Sequence, residues 1–90
     1  MQKFLIEREI PGAGSMSADQ LQHIAARSNA VFAQLGGRAA WVQSYVTGDN
    51  IFCVYAAEDE EVVREHARMG GFPCNVVRQI STVIDTATGE

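Results

Sequence analysis

Residues 41–73, WVQSYVTGDNIFCVYAAEDEEVVREHARMGGFP, decide the fold. Two runs, Ala40–Thr47 and Asn50–Ala57, are rich in the Val, Ile, Tyr, Phe and Trp that strands prefer. Gly48-Asp49 stands between them, and Gly at the first position of a two-residue loop suits a primed hairpin turn. Such a turn pairs Thr47 with Asn50, Ser44 with Cys53 and Val42 with Tyr55. Paired residues share a side of the sheet, and sides alternate along each strand. One face then carries Val42, Ser44, Val46, Ile51, Cys53 and Tyr55; the other carries Trp41, Gln43, Tyr45, Phe52, Val54 and Ala56. A three-residue loop would shift every pair by one.

After the hairpin, Asp59-Glu60-Glu61 places negative charge where the dipole of a starting helix favours it. Val62, Val63, His66, Ala67 and Gly70 then recur at helical spacing on one inward face. Gly70-Gly71 ends this helix, and Pro73 keeps it from resuming. On the other side of the hairpin, Lys3–Ile10 reads as a strand closed by the turn residues Pro11-Gly12-Ala13-Gly14. Ser17-Ala18-Asp19-Gln20 has the form of a capping box. It opens a helix over Ala18–Leu35, with Leu21, Ile24, Ala25, Ser28, Phe32 and Leu35 on one stripe and a stop at Gly36-Gly37. Asn75–Ile84 reads as the last strand and Asp85–Glu90 as a polar tail.

The order β-α-β-β-α-β predicts an α+β, ferredoxin-like fold over residues 1–90 as one domain. Its four-stranded antiparallel sheet carries both helices on one face. The hairpin has large apolar side chains on both faces, so the face without helices needs another cover. Left bare, Trp41, Tyr45 and Phe52 form a patch too apolar for an isolated domain. A second copy of the sheet, in a two-fold homodimer, is the economical cover.

Composition bounds the function. Ninety residues at 47% hydrophobic content support a real core. A formal charge of −4 speaks against nucleic acid or an anionic membrane as partner, because both need a basic surface. No apolar run approaches a membrane span, and charges interrupt the opening MQKFLIEREIPG, which argues against a signal peptide. Cys53 and Cys74 form no CxxC pattern and read as reduced thiols of a cytoplasmic protein.

The opening FLIEREIPG, the WVQSYVT before the turn, the Cys53-Val54-Tyr55 strand core and the block VREHARMGGFP resemble one family. It consists of small bacterial domains of unknown function, typified by an actinobacterial nickel-binding protein. The likeness covers nearly the whole chain. It implies a ferredoxin-like homodimer, in agreement with the two-faced hairpin, and it implies Ni²⁺ as the metal.

His66 is the first candidate ligand. On its helix it aligns with Val62 and Gly70, so it faces the sheet, where Ser44, Cys53 and Tyr55 lie opposite. A neutral imidazole is the commonest ligand of borderline metals, and nickel accepts nitrogen, oxygen or sulfur. The competing role is a hydrogen-bonded core histidine. Glu7 and Glu9 point to the same side of the first strand, and Glu7, nearer the centre, is the preferred oxygen ligand. Cys53 can be a thiolate ligand or a small buried hydrophobe. Tyr55 can be a ligand or, like Tyr45, a core or interface aromatic. His23 falls off the apolar stripe and reads as a surface residue, and Glu60, Glu61, Glu65, Arg64 and Arg68 read as a solvated helix face.

No Ser-His-Asp set, no HExxH and no catalytic carboxylate pair stands out, which points to binding rather than catalysis. The expectation is a cytoplasmic homodimer that binds a divalent transition metal, nickel by the resemblance, for storage, buffering or sensing. His66, Glu7, Cys53 and Tyr55 are its metal residues, and Trp41, Tyr45 and Phe52 its dimer interface. The alternative is a small-molecule-binding or oxidoreductase-type dimeric α/β barrel, with His66 and Tyr55 lining an organic pocket.

Overall fold

Alternation along the first strand separates the two faces of the sheet. In a computed structural model describing residues 1–90, β1 (Gln2–Glu9) buries Phe4, Ile6 and Arg8 and turns Lys3, Leu5, Glu7 and Glu9 the other way. The remaining elements are α1 (Ala18–Leu35), β2 (Ala39–Val46), β3 (Asn50–Ala57), α2 (Glu60–Gly70) and β4 (Val76–Ile80). The strands are antiparallel in the order β2-β3-β1-β4, which is the ferredoxin-like arrangement. β4 stops at Ile80, four residues short of the expected end, because its pairing with β1 runs out at Lys3. A short 3₁₀ turn at Thr86–Gly89 follows in the tail.

Both helices begin and end where their local chemistry directs. Ser17 and Gln20 exchange side chain-to-backbone hydrogen bonds across the first turn of α1. Asp59 accepts from the Val62 N–H at the start of α2, beside Glu60 and Glu61. Gly71 closes α2 at φ 69°, a left-handed conformation that favours glycine. Val62, Val63, His66, Ala67 and Gly70 are all buried, as their spacing required. Each fully buried Val there contributes about 1.5–3 kcal/mol of apolar transfer. The helices cover the face that carries Phe4, Ile6, Ile51, Cys53 and Tyr55.

The hairpin departs from expectation in two places. Thr47 and Asn50 pair across the turn and Ser44 stands opposite Cys53, as the two-residue loop demanded. Neither Gly48 nor Asp49 has a positive φ, however, so the turn is not a primed one. The segment after β1 holds it instead. Ile10 N–H donates to the Asp49 carbonyl, Gly14 N–H to the Gly48 carbonyl and Gly12 N–H to the Asp49 side chain. A Cβ on Gly14 would stand 2.9 Å from the Thr47 carbonyl oxygen, so that backbone approach needs glycine.

The second departure is a bulge. Trp41 pairs with Tyr55 and Gln43 with Val54, leaving Val42 as the extra residue on β2. The expected pair of Val42 with Tyr55 is therefore replaced, and Trp41 moves to the helix-covered face. Burying the larger ring favours this: Trp41 packs beside Phe32 at 6.3 Å between ring centroids and donates Nε1–H to the Ser44 Oγ at 2.9 Å. Val42 is left 51% exposed.

Candidate functional site

Under α1, against the inner face of β1, β2 and β3, lies a cavity of about 210 Å³. Its walls are mostly apolar, among them Ile10, Leu21, Ile24, Val46 and Ile51, with Trp41 and Phe72 closing on it. The polar side chains in the lining are Arg8, Ser28 and Ser44, together with the Cys53 thiol and the Tyr55 phenol. A cavity of about 150 Å³ is enough to take up benzene, so this space suits a molecule of about ten heavy atoms.

Strand parity brings Arg8 here. It follows Phe4 and Ile6 on the buried side of β1 and is only 3% exposed. Its Nη2 donates to the Tyr55 hydroxyl at 3.0 Å and its Nη1 to the Pro73 carbonyl. The guanidinium carbon also stands 5.4 Å from the Phe72 ring centroid and 5.8 Å from that of Tyr55. No carboxylate pairs with it: the ion pairs of the chain involve Arg38, Arg64 and Arg68. Burial opposes its charge, but the neighbouring Tyr55 and Cys53 outweigh it and leave the pKa above the ordinary arginine value. Burial pushes the Tyr55 phenol up to about 12 against the pull of Arg8, so Tyr55 is neutral and accepts the arginine N–H.

His66 stands behind this group. It is 0% exposed, its Nε2 lies 3.2 Å from the Ser28 Oγ, and its Nδ1 has no hydrogen-bond partner. Phe32, Tyr55 and Phe72 surround the imidazole at 4.1, 5.1 and 5.5 Å between ring centroids. Burial first, and the Arg8 cation second, push its pKa down to about 4. The ring is therefore neutral at physiological pH, held as a core group by Ser28 and three aromatic rings.

Of the expected metal residues, Cys53, Tyr55 and His66 share the inner face, whereas Glu7 lies on the outer one, accepting from Asn50 Nδ2 at 3.3 Å. No three His, Cys, Asp or Glu side chains are placed so that together they could hold a metal ion. Both thiols are free, and Cys53 is buried. The charge acting on His66 is a cation, which repels a metal ion. The residues around His66 therefore do not fit a nickel ion within one chain. His23 is exposed. Of the expected interface residues, Tyr45 and Phe52 pair on the outer face, while Trp41 lines the cavity. Sequence reasoning passed over Arg8, although the parity that placed Glu7 and Glu9 outward also sent it inward.

Residues 4–80 match the family profile described as nickel responsive protein, SCO4226-like. The chain belongs to the SCO4226-like family. The fold agrees: the crystal structure of SCO4226 from Streptomyces coelicolor A3(2) superposes with a TM-score of 0.77 at 15% sequence identity, covering 91% of this chain and 99% of that one. At that identity the likeness concerns the fold alone. No curated protein matches this chain. No helix of this family member is long and apolar enough to cross a membrane.

Proposed function

We propose that this chain is a small cytoplasmic binding protein that acts in a nickel response as a homodimer, with the cavity under α1 as its ligand site. One observation carries the reading. The inner face holds a solvent-connected cavity of about 210 Å³ with apolar walls and a few convergent polar groups, the usual form of a site for a small organic molecule. Tyr55 lines this cavity, and His66 supports it from behind through Ser28 and Phe72. This geometry supports an organic pocket better than a nickel site at His66. Thermal-shift screening of the purified protein against small apolar compounds tests it. A set of binders whose effect disappears when Ala25→Phe fills the cavity supports the reading, and no binder at all contradicts it.

The dimer rests on the outer face. Leu5, Tyr45, Phe52, Val54, Val76 and Ile80 share that side of the sheet, uncovered by either helix. Tyr45 and Leu5 are exposed, and a second sheet would bury them. Light scattering at micromolar concentration should give twice the mass of one chain, and Tyr45→Glu should halve it.

A second reading makes Ni²⁺ itself the ligand, and the family description favours it. Its donors would have to include groups outside the His66 cluster, with Glu7 and Glu9 of the outer face as the carboxylates available. Metal analysis of untagged, natively purified protein tests this. Nickel at a fixed ratio to protein supports it, and metal-free protein that gives no heat on Ni²⁺ titration removes it.

A further inference from the structure

A protein of net charge −4 places an arginine, and no lysine, aspartate or glutamate, in the wall of its cavity. That arginine is 3% exposed and has no carboxylate partner. Taking a cation out of water is costly even after relaxation, and buried charges are ordinarily paired. The partners of Arg8 are a neutral phenol, a backbone carbonyl and two aromatic faces. Each eases burial without neutralising the charge. A guanidinium has five N–H donors; two bond oxygen here, and the Cys53 thiol is a further neighbour. Donors therefore remain for a bidentate oxyanion, the geometry that arginine matches best.

The surroundings repeat the preference. Arg27 of α1 stands 4.6 Å from the Phe72 ring centroid, so the ring at the cavity wall has one arginine buried beside it and another, exposed one over it. Ser28 and Ser44 add hydroxyls to the lining, which can donate to an anion. The rest of the wall is hydrocarbon and aromatic. A free inorganic anion would leave that wall bare, and a plain hydrocarbon would leave Arg8 unneutralised.

We propose that the ligand of this cavity is an organic anion of about ten heavy atoms in all, with an apolar body against Leu21, Ile24 and Trp41 and a carboxylate or comparable oxyanion on Arg8. The inference rests on the cavity being a ligand site and adds the chemical class of the ligand. Arg8 is its specificity residue, and Tyr55, which accepts one of its N–H groups, holds the guanidinium in place.

Trp41 is the single tryptophan and lines the cavity, so its fluorescence reports occupancy directly. The full chain is titrated at pH 7 with octanoate and, separately, with 1-octanol, which share the apolar body and differ in the head group. Octanoate should bind about tenfold to a hundredfold more tightly, the ratio expected for a charge-assisted pair on a buried guanidinium. Arg8→Met should abolish that preference while leaving octanol binding in place, and Arg8→Lys should retain part of it. Octanol binding as tightly as octanoate to the wild-type chain overturns the anion inference and leaves the cavity reading standing. Neither probe binding overturns both. The wild-type comparison decides even where Arg8→Met does not fold.

Discussion

The two faces of this sheet are made from the same strands and have opposite fates. On β1, Phe4, Ile6 and Arg8 are buried under the helices, while Leu5, Glu7 and Glu9 stand on a face that nothing in the chain covers. β3 repeats the contrast, with Ile51, Cys53 and Tyr55 buried and Phe52 and Val54 half-covered. The inner face holds the chain's buried cation, its neutral histidine and its cavity. The outer face holds apolar area framed by ordinary solvated charge. The proposed ligand site therefore lies on the inner face and the proposed dimer interface on the outer.

The sharpest break of this contrast comes from neighbouring residues of one strand. Phe4→Ala should cost about 3–5 kcal/mol in urea unfolding, because the ring is buried and the core cannot close over the void. That loss should be the same at every protein concentration. Leu5→Ala, one position along, should act mainly through the concentration dependence of unfolding, as expected of a residue between two copies. Equal, concentration-independent losses would erase the distinction.

The buried imidazole sharpens the inner side. His66 has a folded-state pKa of about 4 against 6.5 for the free side chain, lowered by burial and then by Arg8. Between these values the unfolded chain binds the extra proton, so stability rises with pH. The contribution is complete above about pH 6.5 and is lost progressively as pH falls towards 4, by up to about 3 kcal/mol. Unfolding curves across this range should show that slope. A resonance assigned to His66 that titrates near 6.5 by NMR would place its ring in water and contradict the packing of Phe32, Tyr55 and Phe72 around it.

Smaller effects follow at the edge of the cavity. A Cβ at Gly70 would run into the Phe72 ring, itself packed against His66 and beside Arg8. Gly70→Ala should therefore destabilise by about 1–3 kcal/mol, as overpacking does, and weaken ligand binding by displacing Phe72. Smaller still is a contrast in thiol reactivity. Cys74, half-buried, should react with a thiol reagent before Cys53, which is buried mid-strand.

Much of this was legible in the sequence because local rules agreed with the fold. The inward set of α2 followed from spacing alone, and the capping box fixed the first residue of α1. The bulge at Val42 was not legible. Trp41 and Val42 are both good strand residues, and the choice between them rests on Phe32 and Ser44, which come from elsewhere in the fold. The turn conformation escaped for the same reason, since hydrogen bonds from residues 10–14 override the preference of Gly48. Arg8 was legible by parity, but an arginine among glutamates on a strand reads as surface charge until the strand's two neighbours are known.

The inner-face cavity at Arg8 is the proposed ligand site of this protein. Amide chemical shifts of isotope-labelled protein, followed while octanoate is added, test it residue by residue. Saturable shifts are expected at Arg8, Ser28, Ser44, Cys53 and Phe72, all in the cavity wall. Tyr45, Phe52 and Val54 of the outer face should stay near their starting positions. Shifts confined to those outer residues, or no saturable shift anywhere, would contradict it.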